Sequence, residues 1–166
     1  MSPNPPTRRP LPLVISVPLA IAPVAVASVI GSMATLPNIP DWYMGLNKPW
    51  FTPPNWIFGP VWTVLYIAVA YAFHRILRRP AEASRTWPIT AFMVQIALNA
   101  AWSVAFFGGR SPSLGLMVVA ALWSSVAWTL VVFWRRDWIS GLVFVPYLAW
   151  VSFAAALNFE IWRLNS

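Results

Sequence analysis

The 166-residue chain is 59% hydrophobic and only 9% charged, with net charge +7, no cysteine and one histidine. A soluble domain carries roughly 25% charged residues, so too few charges are present to coat a water-facing surface. The missing cysteines exclude disulfides, zinc–thiolate sites and a cysteine nucleophile, and His74 with four scattered carboxylates leaves almost no material for a metal site or a paired-carboxylate enzyme.

The charges are bunched. None falls between Arg9 and Asp41, Lys48 and His74, Arg85 and Arg110, Arg110 and Arg135, or Asp137 and Glu160. Each gap exceeds the ~20 residues that cross a ~30 Å hydrocarbon layer as a helix. The pattern predicts an all-α membrane protein, a bundle of five transmembrane helices near residues 12–35, 56–76, 87–107, 112–134 and 138–162. The arginines and lysines sit in short loops between these segments, where cationic residues mark membrane surfaces. They form no long basic stripe, so nucleic acid is not a partner; the lipid bilayer is.

Residues 1–11, with "SPNPPTRRP", read as a flexible basic N-terminus, and residues 12–166 as the membrane domain. The apolar run from Leu11 to Ile39 is much longer than the 7–15 residues of a signal-peptide core, which favours a retained first helix. A loop at about 36–55 follows. Its end, "KPWFTPPNWIFGPVW", holds four prolines and three tryptophans in fifteen residues. Asp41 and Lys48 flank the loop and are expected to close it as an ion pair.

The second segment places Phe58, Trp62, Tyr66, Val69 and Phe73 on one helical face. Arg75, Arg78 and Arg79 after it read as a solvated or headgroup-facing run. The third, "FMVQIALNAAWSVAFF", gathers Gln95, Asn99 and Trp102 within a ~60° sector. Ala97, Ala101 and Ala105 form a small-residue ladder on the opposing side, suited to close packing on a neighbour such as a second subunit. Amides at membrane depth are costly; here they serve either as interhelical hydrogen-bond glue or as a ligand site. The fifth segment, "PYLAWVSFAAALNF", brings Tyr147, Trp150, Ala154 and Asn158 into a ~80° sector. Glu160 and Arg163 are spaced for a surface ion pair. Trp56, Trp87, Trp134, Trp138 and Trp162 lie near segment ends and read as an interfacial belt. Trp62, Trp102 and Trp150 lie deeper, and their faces are placed to converge on an apolar cavity with a few polar points.

With five spans the termini lie on opposite sides. Eight arginines fall on the N-terminal side against Lys48, Arg110 and Arg163 on the other. The imbalance predicts the N-terminus inside and the C-terminus outside, and leaves inner versus outer membrane open.

Three motifs, "WYMGLNKPWFTPPNWIFGPVWTVLY", "QIALNAAWSVAFFG" and "VPYLAWVSFAAALNFEIWRLN", occur in an order that resembles the TspO/translocator-protein family, also called tryptophan-rich sensory proteins or peripheral-type benzodiazepine receptors. The resemblance covers residues 12–166 and points to a bacterial member. It implies a five-helix bundle, commonly dimeric, whose pocket binds porphyrins such as protoporphyrin IX and drug-like isoquinoline carboxamides and benzodiazepines, and in animals cholesterol. It also implies that the loop after the first helix covers that pocket, its prolines shaping a lid and its tryptophans lining the underside.

Carried over by motif position, Trp62 in "GPVW" and Trp150 in "PYLAW" match the tryptophans tied to light-dependent porphyrin degradation in some bacterial members. Gln95, Asn99 and Trp102, with Tyr66, Tyr147, Ala154 and Leu157, match the pocket. No intrinsic cofactor and no metal is implied; the porphyrin is a ligand. The sterol pattern of animal members is broken, because Phe159 stands where that pattern has tyrosine between Leu157 and Arg163, so a sterol is disfavoured. The reading is therefore a tetrapyrrole-binding membrane protein that senses or regulates porphyrin handling. The alternatives are a porphyrin transporter, an enzyme whose chemistry needs only light and tryptophan, and a purely structural bundle. No inverted repeat and no intramembrane charge supports coupling to an ion gradient.

Overall fold

The computed structural model describes residues 10–80 and 85–166. Most of the basic N-terminus, residues 1–9, lies outside the described residues. Five helices are long and apolar enough to cross a membrane: α1 (Leu13–Thr35), α2 (Asn55–Arg78), α3 (Thr86–Ser103), α4 (Pro112–Trp134) and α5 (Trp138–Asn165). The described residues contain no strand. The chain is a multi-pass, all-helical membrane protein, and the boundaries agree with the charge gaps to within a few residues.

The helices close a ring. α1 packs on α2 and α3, α3 on α4, α4 on α5, and α5 returns to α2. Aromatic side chains fill the half of the ring nearest the start of α1. Phe73 of α2 stacks on Phe92 of α3 at 3.9 Å, both lie parallel to Phe133 of α4, and Phe144 of α5 meets Phe133 edge-on. Beneath this stack the arginine-rich end is tied together by Asp137. Its buried carboxylate accepts from Arg75 Nε at 2.8 Å and Nη2 at 3.1 Å, from Arg79, and from Ser140 Oγ at 2.5 Å. The Arg75 hydrogen bonds, helped by Ser140 and by the charge of Arg79, hold that carboxyl well below the usual carboxylate range against the opposing effect of burial. Arg75 and Arg79 are thus structural partners of Asp137 rather than a solvated run.

Three local departures from the expected geometry shape the other half. First, the segment after α1 begins as helix, and only residues 46–54 run as an irregular loop. A 3-10 turn (Leu36–Asn38) and a π turn (Ile39–Tyr43) prolong the helix. Pro37 and Pro40 lack backbone N–H groups, so the regular i to i−4 ladder cannot continue and wider and tighter turns replace it.

Second, α3 ends in a π turn (Val104–Gly108), where Gly109 N–H reaches Val104 O at 2.7 Å. The extra residue in this turn shifts the phase of the helix face. Ala97 and Ala101 stay exposed on the outer face of α3, but Ala105 is buried, so the three-alanine ladder is a two-alanine face. Third, Lys48 does not pair with Asp41. Its Nζ donates to Met44 O and Leu46 O and lies 4.8 Å over the Tyr43 ring. Partial burial draws Lys48 below its ordinary pKa. The Glu160–Arg163 pair forms as expected, at 2.7 Å, and the five belt tryptophans are exposed at helix ends.

Candidate functional site

Above the phenylalanine stack the ring is hollow. A cavity of about 380 Å³ lies between α1, α2, α3 and α5 and under the turns at 36–43, within the ~300–1,000 Å³ of small-molecule sites. α2 supplies Trp62 and Tyr66 one helical turn apart, their rings 5.6 Å apart. α3 supplies Trp102, 6.3 Å from Trp62, and the π turn adds Phe106 and Phe107. α5 supplies Ala154, Leu157 and Asn158. α1 presents only small groups, Ser28, Gly31, Ser32 and Thr35. The walls are aromatic on one side and small on the other, a slot suited to a flat apolar molecule.

A polar network fixes the aromatic wall. Tyr66 Oη donates to Asn99 Oδ1 at 2.5 Å, and Asn99 Nδ2 donates to Tyr147 Oη at 3.1 Å, so one amide ties α2, α3 and α5 together. Trp102 Nε1 donates to Asn158 Oδ1 at 3.1 Å, and Asn158 Nδ2 donates to Pro112 O at 2.8 Å. Each bond satisfies a polar group that would otherwise be costly at membrane depth. The network also holds the Trp102 indole against the cavity, 5.8 Å from the Phe106 ring.

The segment after α1 is pinned at both ends. Arg110 Nε donates to Asn38 Oδ1 at 2.9 Å, and Asn38 Nδ2 donates back to Ala34 O at 2.9 Å. At the far end, Asn47 N–H donates to Asn165 Oδ1 at 3.0 Å while Asn165 Nδ2 donates to Asn47 O at 2.9 Å. Between the pins, Trp42 and Tyr43 pack edge-on and tilted against Phe106 and Phe107.

Of the residues singled out in the sequence, Trp62, Tyr66, Trp102, Ala154 and Leu157 line the cavity. Asn99 and Tyr147 stand behind it as the buried network. Two do not join them. Gln95, one turn below Asn99, is fully buried, and neither of its amide atoms has a partner among the described residues. Trp150 faces the seam between α2 and α5 instead of the cavity. Its ring meets Phe58 at 5.8 Å and Phe153 at 5.4 Å, and its buried Nε1 is unpartnered among the described residues.

Sequence reasoning passed over the α1 wall, Tyr43, and the phenylalanines of the π turn. The signal for the first was present: Ser28, Gly31 and Ser32 recur at helical spacing in an otherwise aliphatic segment.

Residues 19–163 match the TspO/MBR family. Among characterised proteins, the chain is 46% identical over 125 residues to Protein CrtK of Rhodobacter capsulatus, covering 75% of this chain and 78% of that one. It is 40% identical over 136 residues to Tryptophan-rich protein TspO of Archaeoglobus fulgidus, covering 82% and 88%. It is 34% identical over 126 residues to the human Translocator protein, covering 75% of each.

Proposed function

The chain belongs to the TspO/MBR family, and from that premise we propose that it binds a flat tetrapyrrole of the protoporphyrin IX type, or a comparably flat hydrophobic drug-like molecule, and so senses or regulates porphyrin handling. The observation that carries this reading is the lidded slot faced by Trp62, Tyr66, Trp102 and Phe106. A planar macrocycle stacks on indole and phenol faces, and aromatic contacts of this kind add to the apolar area buried. The small wall of α1 leaves room for the opposite ring face. Asn158 and the α1 serines supply the few polar points that orient a ligand. With dioxygen present as the oxidant, a light-excited porphyrin against Trp62 would also stand beside an electron-rich indole, which supports light-dependent oxidation of ring or protein by dioxygen as an accompanying chemistry. A homodimer would use the exposed Ala97 and Ala101 face of α3, and the arginine-bearing end would lie inside.

The test is a dark titration of protoporphyrin IX into purified protein, followed by tryptophan quenching, and then illumination. Saturable quenching that Trp62→Phe weakens supports the reading. Absence of saturable binding by the wild type refutes it.

A further inference from the structure

A second hollow lies on the outside of the bundle. A groove of about 490 Å³ runs between α1 and α2, lined on one side by Val17, Ala20 and Ala25 and on the other by Ile67, Ala70 and His74. It spans twelve residues of α1, from Val17 to Ser28, and twelve of α2, from Thr63 to His74, about 16 Å of helix. That length matches one leaflet of a ~30 Å hydrocarbon layer. Val17, Ile21, Ile67 and Tyr71 are exposed along it, so in a membrane the groove faces lipid.

Groove and cavity meet. Ser28, Thr63 and Tyr66 line both. Two of the three are small, so Tyr66 is the one large side chain in the shared wall, and a single interhelical hydrogen bond to Asn99 tethers it. Just above, Gly59 also lines the cavity, and a Cβ added there would meet nothing within 4 Å.

We propose that the cavity is loaded sideways from the bilayer through the α1–α2 groove, with Tyr66 as the gate. The molecule this route admits is an apolar, membrane-dissolved ring, which would travel among the aliphatic walls of the groove. A route through lipid keeps the apolar ring out of water and leaves the pinned lid closed. The proposal rests on the cavity being a ligand site, but it concerns a path, and the path is testable without the ligand.

The chain has no cysteine, so Ser103→Cys places a single thiol on the cavity wall. In proteoliposomes it is labelled in parallel with a bilayer-dissolved pyrene maleimide and a sulfonated, water-confined maleimide. Ala25→Phe with Ala70→Phe fills the groove without touching a residue that lines the cavity. The expected result is that labelling by the pyrene reagent slows about tenfold or more, while the sulfonated reagent is unaffected, which also reports an intact cavity. Tyr66→Phe, which cuts the tether, is expected to speed the pyrene reagent about three- to tenfold. An unchanged pyrene rate in the filled variant, or equal slowing of both reagents, overturns the proposal. Failure of protoporphyrin IX to bind would instead overturn the tetrapyrrole reading and leave these labelling rates as they are.

Discussion

Asn99 and Gln95 sit one turn apart on α3 and are both buried, yet the structure assigns them opposite energetic signs. Asn99 accepts from Tyr66 and donates to Tyr147. Interhelical hydrogen bonds in membranes average about 0.6 and reach about 1.7 kcal/mol, so the pair is worth roughly 1–3 kcal/mol, and Asn99→Leu also orphans two phenol groups. Gln95 has no partner for either amide atom among the described residues. A buried polar group that makes no bond is a liability of about 1–3 kcal/mol, so the near-isosteric Gln95→Met is expected to be neutral or stabilising by about 1 kcal/mol. The assay is reversible unfolding in mixed micelles by titration with sodium dodecyl sulfate, read by circular dichroism. A double-mutant cycle of Asn99→Leu with Tyr147→Phe should return a coupling of about 0.6–1.7 kcal/mol. A Gln95→Met variant that loses as much stability as Asn99→Leu would refute this reasoning.

Asp137→Asn removes the charge that two arginines share, and breaking a buried pair costs about 3–5 kcal/mol; because Arg75 and Arg79 are partly exposed, a loss of about 2–3 kcal/mol in the same unfolding assay is expected. Since the folded carboxyl titrates below its unfolded value, its contribution is complete above the ordinary carboxylate pKa of about 4 and is lost only as pH falls through the depressed folded value. The melting temperature gap between wild type and Asp137→Asn should therefore hold constant from pH 7 to about pH 5 and close only in stronger acid. Gly115→Ala puts a Cβ at 2.8 Å from both Asn158 Oδ1 and Phe106 Cδ2, and should cost about 1–3 kcal/mol by micelle unfolding while disturbing the Trp102–Asn158 bond. Asn165→Ala undoes the distal pin of the segment after α1, and because loading runs through the α1–α2 groove, stopped-flow quenching by protoporphyrin IX should show association and dissociation rates unchanged.

The helices were legible because charge is expensive in hydrocarbon, and its absence over twenty residues at a time marks each span. The inward face of α2 was legible for a similar reason, since Phe58, Trp62, Tyr66 and Phe73 share one stripe at helical spacing. What escaped depends on phase and on neighbours. Ala105 fell off its ladder because a π turn adds a residue that 100° arithmetic does not contain. The helical start of the segment after α1 was not legible, because Pro37 and Pro40 change the kind of turn without ending the helix. Asp137 looked like one scattered acid. Its burial follows from topology, which brings the α4–α5 corner beside the end of α2 and so beside Arg75 and Arg79.

Trp150 is the departure with the most chemical consequence. Sharing an ~80° sector with Tyr147 and Ala154 places a side chain on a helix face, but that face meets two different neighbours. Tyr147 joins the network to α3, and Ala154 meets the cavity. Trp150 meets Phe58 of α2, with Phe153 beside it and Phe51 beyond. Electron transfer between an excited ring and an indole weakens steeply with distance, so the two tryptophans that the family motifs pair are not equivalent here. Trp62 stands where a bound ring would touch it. Trp150 stands behind Phe58, which itself lines the cavity, and would be reached through it or by a rearrangement of the α2–α5 seam. Its buried Nε1, unpartnered among the described residues, leaves that seam without a hydrogen bond to hold the indole in place. A role for Trp150 in porphyrin chemistry would run through Phe58 or need motion of this seam, whereas a role for Trp62 requires only that the cavity be filled.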